Sequence, residues 1–286
     1  FASGDLGRKS QSGTQKFLKI NVSGEGEMLL KDNSRNVLRK TFTETLKEFR
    51  LEKKMQGRFS SIDLNLISRI PLMRGLGFSA TARVGVICAI NNLADRAISD
   101  GDILAFASRL EGHPDNAVPA FSGGLCIAVQ DSGKVDFLKL KVPSDLKAVL
   151  CVPDFGLATE LARKVLPERI DFRRAVFNSS RTALLVASIL NRNYKTLRIA
   201  MEDALHQPYR KRFIPGFDGV ISAALERGAF GAALSGSGST ILAICPDDDR
   251  VCERVGKAMV DRFFSKRIGS RYIVCGFDNE GIRVKG

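Results

Sequence analysis

Apolar residues recur along this chain in two rhythms, and the switches from one to the other mark out its elements. Ile62, Leu64 and Leu66 alternate with Ser61, Asp63 and Asn65. A period of two predicts a half-buried strand. Leu38, Phe42, Leu46 and Phe49 fall at i, i+4, i+8 and i+11, which predicts one amphipathic helix over about 36–53. Phe17–Val22 reads as a strand ahead of Gly24-Glu25-Gly26, and a helix rich in small residues is expected over 79–94. Ser99 and Asp102 have the spacing of a capping box, opening a helix that ends near Leu110. A strand at Leu125–Val129 follows Gly123-Gly124, and the mixed Gly, Pro and charged stretch 134–144 reads as a break.

Beyond that break, Ala148–Val152 reads as a strand and Thr159–Leu166 as a helix stopped by Pro167. Asp171 is placed to cap a long helix with Phe172, Val176, Ala183, Ala187 and Leu190 along one side. Further helices are expected over 194–205, 218–227 and 248–264, with strands at Gly231–Leu234, Thr240–Cys245 and Tyr272–Phe277. Strands and helices mix without strict alternation. That pattern favours an α+β sandwich in two halves, divided here as 1–142 and 143–286, over a doubly wound sheet.

Composition narrows the class. At 286 residues, 44% hydrophobic and 26% charged, the chain is globular and long enough to bury a good core. No run approaches the ~18 apolar residues of a membrane span, and the Gly/Ser/Lys-rich N-terminal stretch lacks the apolar segment of a secretory signal. Cys88, Cys126, Cys151, Cys245, Cys252 and Cys275 form no CxxC pair, so reduced thiols in a reducing, cytoplasmic compartment are expected, with no membrane partner. The net charge of +13 is spread over helix faces, with no basic block interleaved with aromatics. It implies a mild pull on anions and no nucleic-acid partner.

Three segments could carry chemistry. Pro71-Leu72-Met73-Arg74-Gly75-Leu76-Gly77-Phe78-Ser79-Ala80-Thr81 joins a strand to a helix through two glycines. Such a turn brings unpaired helix N–H groups and a positive dipole end to a phosphate, although glycines at such turns also serve structure alone. His113-Pro114-Asp115-Asn116 packs a base, a carboxylate and an amide into four residues. It could hold Mg²⁺, an ammonium or a hydroxyl proton, or simply close a helix with local hydrogen bonds. Ser235-Gly236-Ser237-Gly238 could approach a ligand or merely join two strands. Arg181 and Arg210 carry forks that suit carboxylate or phosphate, or are surface charges.

Taken together, Pro-Leu-x-x-Gly-Leu-Gly-x-Ser-Ala, Glu-Gly-His-Pro-Asp-Asn (111–116) and Ser-Gly-Ser-Gly resemble the GHMP kinase superfamily. Residues 111–116 with Val118-Pro119-Ala120 and Gly123-Gly124, joined to His206-Gln207-Pro208-Tyr209-Arg210 and Ile214-Pro215-Gly216, resemble its homoserine-phosphorylating branch, and the resemblance runs over about 17–286. It implies a two-domain fold, with an N-terminal half like domain 2 of ribosomal protein S5 and a ferredoxin-like C-terminal half. It also implies transfer from ATP, with Mg²⁺, to the hydroxyl of L-homoserine on the route to threonine, and it leaves room for a homodimer.

By motif, Pro71, Arg74, Gly75, Leu76, Gly77, Phe78, Ser79, Ala80 and Thr81 would line the nucleotide phosphates, with Ser79 also at the metal. Asn36 would lie near the adenine, and Gly236, Ser237 and Gly238 would complete the nucleotide site. His113, Asp115 and Asn116 would face the amino acid, with Arg181 and Arg210 on its carboxylate; Asp115, Ser79 and Asn116 would carry the reaction. The chain departs from the family pattern in several places. The family's Asn-Leu-Gly-x-Gly-Phe-Asp segment has no counterpart in these residues, Phe78 stands where Ser is usual, and Ser239 where Pro is usual. Ala105 falls where the magnesium-binding acid is expected, and Asp102 or Glu111 could substitute only by shifting. A kinase for a mevalonate-type alcohol and a catalytically weakened ATP-binding homologue are the rival readings.

Overall fold

The computed structural model describes residues 17–30 and 37–284. They form two compact units. The first holds the described residues up to Pro71, Gly77–Lys139 and those from Glu280 onward; the second holds Leu72–Leu76 and Leu140–Asn279.

In the first unit β1 (Leu18–Gly24) pairs in parallel with β2 (Ile62–Ser68), Leu18 opposite Ile62 and Gly24 opposite Ser68. The expected helix over 36–53 is instead two, α1 (Val37–Glu48) and α2 (Glu52–Arg58). The chain turns at Arg50, which takes φ 54°, and Leu51 N–H donates to Leu46 O at 2.8 Å. The apolar rhythm runs on across this break because Leu51 and Met55 are buried in the same core. There follow α3 (Phe78–Leu93), α4 (Asp100–Glu111), α5 (Ala117–Ser122), β3 (Leu125–Asp131) and β4 (Lys134–Leu140). The stretch read as a break thus begins with a strand, joined to β3 through Ser132 and Gly133, both at positive φ. A largely exposed two-stranded ribbon needs no apolar alternation, so the pattern hid it. The core joins Leu38, Phe42 and Leu46 to Val84, Ile87 and Ile90 of α3 and Phe106 of α4.

The second unit contains β5 (Leu146–Pro153), α6 (Thr159–Lys164), α7 (Phe172–Leu190), α8 (Leu197–Ala200) and α9 (Gln207–Arg210). It continues with α10 (Phe217–Glu226), β6 (Gly231–Leu234), β7 (Ile241–Pro246), α11 (Asp249–Phe264) and β8 (Ser270–Cys275). Its sheet runs β6-β7-β5-β8, antiparallel at every pairing, which is the ferredoxin-like order. Val149, Cys151, Ile241 and Ala243 of that sheet pack with Val220 of α10 and Val255, Met259 and Phe263 of α11. Two expectations are corrected. The helix over 194–205 shrinks to a 3-10 turn and α8. The stripe along α7 is exposed within the chain, Phe172 at 81%, while Ser188 and Ile189 are buried. Periodicity finds an apolar stripe but not what covers it.

All six cysteines are free thiols, and burial pushes Cys88 up to about 11 and Cys151 and Cys245 up to about 12. Among the described residues no helix is long and apolar enough to cross a membrane.

Candidate active site

α3 begins without a side-chain cap. Its N-cap is Gly77 at φ 71°, and the first intrahelical bond is Thr81 N–H to Gly77 O at 3.0 Å. The N–H groups of Phe78, Ser79 and Ala80 therefore have no helical acceptor, and the positive dipole end adds to their pull on an anion. Ser79 Oγ donates to Glu111 Oε1 at 2.5 Å, and Arg83 Nε donates to the same oxygen at 2.5 Å. Thr81 Oγ1 turns back to Gly77 O at 3.1 Å. Ala80 is buried, and Phe78 packs against the core of this unit. The residue that replaces the family's serine thus anchors the start of the helix and brings no hydroxyl.

The knot after α4 lies against this helix start. Gly112 at φ 81° caps α4, and His113 Nδ1 then meets Asp115 Oδ1 while Asn116 Nδ2 donates to that oxygen at 3.2 Å. The Asp115 side chain is 72% exposed. A Cβ added to Gly77 would lie 3.3 Å from Asn116 Oδ1, so the knot and the open helix end are in contact. The structure thus gathers Gly77, Ser79, His113, Asp115 and Asn116 within one unit.

In the second unit, Leu72–Leu76 pack under the β6–β7 connection. Ser235 Oγ donates to Gly75 O at 2.8 Å and Thr240 N–H to Arg74 O at 3.2 Å. Gly75 sits at φ 69°, and a Cβ there would fall 2.1 Å from Ser235 O, so only glycine fits. Arg74 turns its guanidinium on Pro153 O (2.9 Å), Asp154 O (2.6 Å) and Leu72 O (3.2 Å). Pro71 is buried, Leu76 half-buried, and Leu157 N–H donates to Met73 O at 3.0 Å. Ser237 Oγ lies 3.4 Å from Thr159 Oγ1, and a Cβ on Gly238 would meet Leu234 at 3.0 Å. Ser239 is fully buried, its hydroxyl donated to Phe155 O at 2.6 Å.

Arg210 Nε donates to Ala162 O and Nη1 to Gly236 O, each at 3.0 Å, and burial lowers its pKa. Arg181 instead places Nε and Nη2 on Glu202 Oε2 at 3.1 and 2.8 Å and stacks over Phe177. Asn36 lies outside the described residues.

Two further residues, one in each unit, carry no motif. Arg83 reads as an ordinary charge in α3, and Asp203 as a loop acid. Asp203 accepts from the N–H groups of His206 (2.7 Å) and Gln207 (2.5 Å) through Oδ2. It accepts from Leu205 N–H (3.0 Å) and Asn178 Nδ2 (2.7 Å) through Oδ1. Burial alone would raise its pKa, but His206, Asn178 and these backbone donors outweigh burial and hold it well below the usual range. It thereby fixes the segment that carries Arg210. An acid four residues before the first residue of a short helix is the signal the sequence offers.

Among the described residues no group of three or more His, Cys, Asp or Glu side chains is arranged to hold a metal ion. Ser79 nevertheless fits a Mg²⁺ ion held mainly by phosphate oxygens. Its hydroxyl donates its proton to Glu111 and keeps its lone pairs, the arrangement in which an outer carboxylate orients a ligand.

The GHMP kinases N terminal domain matches residues 36–124 and the GHMP kinases C terminal domain residues 185–261. The chain belongs to the GHMP kinases. Within that family, a homoserine kinase of Persephonella marina is 44% identical over 227 residues, 79% of this chain and 75% of the relative. One of Carboxydothermus hydrogenoformans is 40% identical over 250 residues, 87% of this chain and 79% of the relative. The crystal structure of homoserine kinase from Cytophaga hutchinsonii superposes with a TM-score of 0.78 at 31% identity, covering 93% of this chain and 83% of that one. Leishmania major mevalonate kinase shares the fold, with a TM-score of 0.61 at 14% identity over 90% of this chain and 81% of that one.

Proposed function

We propose that this chain transfers the γ-phosphoryl group of ATP to the side-chain hydroxyl of L-homoserine, giving O-phospho-L-homoserine and ADP. The observation that carries the reading is the uncapped start of α3 in contact with the His113–Asp115–Asn116 knot. Phosphate donors and an exposed carboxylate then lie side by side in one unit.

The N–H groups of Phe78, Ser79 and Ala80 take phosphate oxygens, and the α3 dipole stabilises their charge. Ser79 Oγ, oriented by Glu111, is the residue that would hold Mg²⁺, which when bound neutralises phosphate charge. Arg74 and Ser235 hold Gly75 in the shape the loop needs. Asp115, ordered by His113 and Asn116, anchors the substrate ammonium. Arg210 is the cation assigned to the substrate carboxylate, since Arg181 already has Glu202 on its fork. Phosphoryl transfer through a loose transition state needs positioning and charge neutralisation more than covalent help. As the substrate oxygen bonds to phosphorus and the bond to ADP breaks, the hydroxyl proton passes to the transferred phosphoryl group. The six free thiols, four of them buried, suit a reducing cytoplasm. A homodimer belongs to this reading and is read out by sedimentation.

ADP release, measured with L-homoserine, with mevalonate and with neither, tests the reading. Turnover that requires L-homoserine is expected; equal or greater turnover with mevalonate would overturn the substrate assignment. In Asp115→Asn, KM for homoserine rises at least tenfold while kcat changes less, as an ammonium anchor requires. A collapse of kcat at unchanged KM would make Asp115 the base instead.

A further inference from the structure

Arg210 ends α9, a helix of four residues, too short to be held by its own hydrogen bonds. Its place comes from the side chains around it. Asp203 fixes its start, and Gln207 reaches the other way. Gln207 Nε2 donates to Met201 O at 3.3 Å, and Oε1 accepts from Leu234 N–H at 2.9 Å. Leu234 ends β6, the edge strand of its sheet, and pairs with Ile241 of β7 on one side only. Its part-buried outer N–H has no strand to bond, and the Gln207 side chain supplies the acceptor. Three consecutive residues thus meet three partners. Leu234 N–H bonds Gln207, Ser235 Oγ donates to Gly75 O at 2.8 Å, and Gly236 O accepts from Arg210 Nη1 at 3.0 Å. α9 grips the run 234–236 at both ends, and the run grips the glycine loop at its middle. Arg210 Nε is taken up by Ala162 O at 3.0 Å, and Nη2 has no partner among the described residues.

Resting on the assignment of Arg210 to the substrate carboxylate above, we infer that Gln207 is a positioning residue for L-homoserine. Through Leu234 it fixes where the Arg210 fork stands relative to the run that holds Gly75. Arg210 cannot fix this by itself, because a long side chain bonded to two carbonyls follows them when they move. Without the Gln207 amide, Leu234 N–H is left part-buried and unsatisfied. α9 then loses its tie to the end of β6, and the guanidinium leaves the place that faces the carboxylate. The N–H groups of Phe78, Ser79 and Ala80 start a helix of the other unit and keep their hold on phosphate. The loss therefore falls on the amino acid and not on the nucleotide.

The test is steady-state kinetics of the whole chain in L-homoserine, alongside direct binding of a non-hydrolysable ATP analogue with Mg²⁺. Gln207→Met keeps the length of the side chain and removes both polar atoms. It is expected to raise KM for L-homoserine at least tenfold and to lower kcat less, with affinity for the ATP analogue within about threefold of the unaltered chain. Gln207→Glu keeps an acceptor for Leu234 N–H and is expected to hold KM within about threefold of the unaltered value. In the Gln207→Met/Arg210→Gln double variant KM should lie within about threefold of Arg210→Gln alone, because Gln207 acts through Arg210. An unchanged KM in Gln207→Met, an equal loss of affinity for both ligands, a Gln207→Glu variant as impaired as Gln207→Met, or effects that multiply in the double variant would overturn the inference. If Gln207→Met does not fold, Gln207→Asn against Gln207→Glu decides. The Asn amide stops one methylene short, so a tenfold higher KM in Gln207→Asn supports the inference and equal values sink it. An unaltered chain whose ADP release does not respond to L-homoserine would instead sink the substrate reading, and this inference with it.

Discussion

Two helices of the first unit begin in opposite ways. α4 is closed by its own residues: Ser99 Oγ accepts from Asp102 N–H at 3.2 Å and donates to the Asp102 carboxylate at 2.6 Å, and Asp100 adds a second acid to the first turn. α3 starts on Gly77 in the left-handed region, with no side-chain cap and no acid in its first turn. One start is finished for stability; the other leaves donors and dipole unanswered. α9 in the second unit is a third case, its first donors taken by the Asp203 carboxylate. Chemistry is expected at the start the chain leaves open, and packing accounts for the two it closes.

That contrast can be broken most severely at Gly75. Gly75→Ala puts a methyl group 2.1 Å from Ser235 O and 2.6 Å from Gly238 N at φ 69°, so the loop must move. A loss of about 2–4 kcal/mol in urea unfolding is expected, together with a fall of more than a hundredfold in kcat/KM; near-normal kinetics would remove the loop from the mechanism. Gly77→Asp gives α3 an anion of its own, as α4 has. Affinity for ATP should fall at least tenfold, about 1.4 kcal/mol, and thermal unfolding should register about 1–2 kcal/mol for a side chain at φ 71° whose Cβ meets Asn116 Oδ1 at 3.3 Å.

Asp203 sharpens the case of the internally satisfied start. Its folded pKa is depressed, so its contribution to stability is full above the unfolded carboxylate value of about 3.9 and is lost as pH falls toward the folded value. Asp203→Asn should flatten the acid limb of a stability-against-pH curve below about pH 4. An unchanged limb would show that other carboxylates dominate it. The smallest effect belongs to Ser99→Ala, which removes the α4 cap at about 1 kcal/mol. Thermal unfolding should register that loss with ATP affinity unchanged; a loss of ATP affinity would blur the distinction between the two starts.

How far these features were legible varies with their range. The capping role of Ser99 and Asp171, the strand alternation at 62–66, the glycine loop and the 113–116 knot all depend on neighbours within about four residues, and the structure places them as the sequence suggests. The join of α1 and α2 was hidden because a left-handed turn at Arg50 leaves the apolar rhythm unbroken. β4 was hidden because its apolar residues, Val135, Phe137, Leu138 and Leu140, keep no strict alternation and stay half-buried or exposed. The partner of Ser79 is only half legible: Glu111 is one of two acids near Ala105 that the sequence offers, and it accepts from Ser79 Oγ with Arg83 on the same oxygen.

By itself the sequence settles which positions turn, which cap and which carry charge, because φ preferences and short hydrogen bonds act over a few residues. The tertiary structure alone decides partners. It brings Glu111 to Ser79 across 32 residues and Ser235 to Gly75 across 160, and it buries the Ile189 side of α7 in place of the Phe172 side. Such meetings depend on how strands pair and helices pack over the whole chain, and no local rule of spacing contains that information.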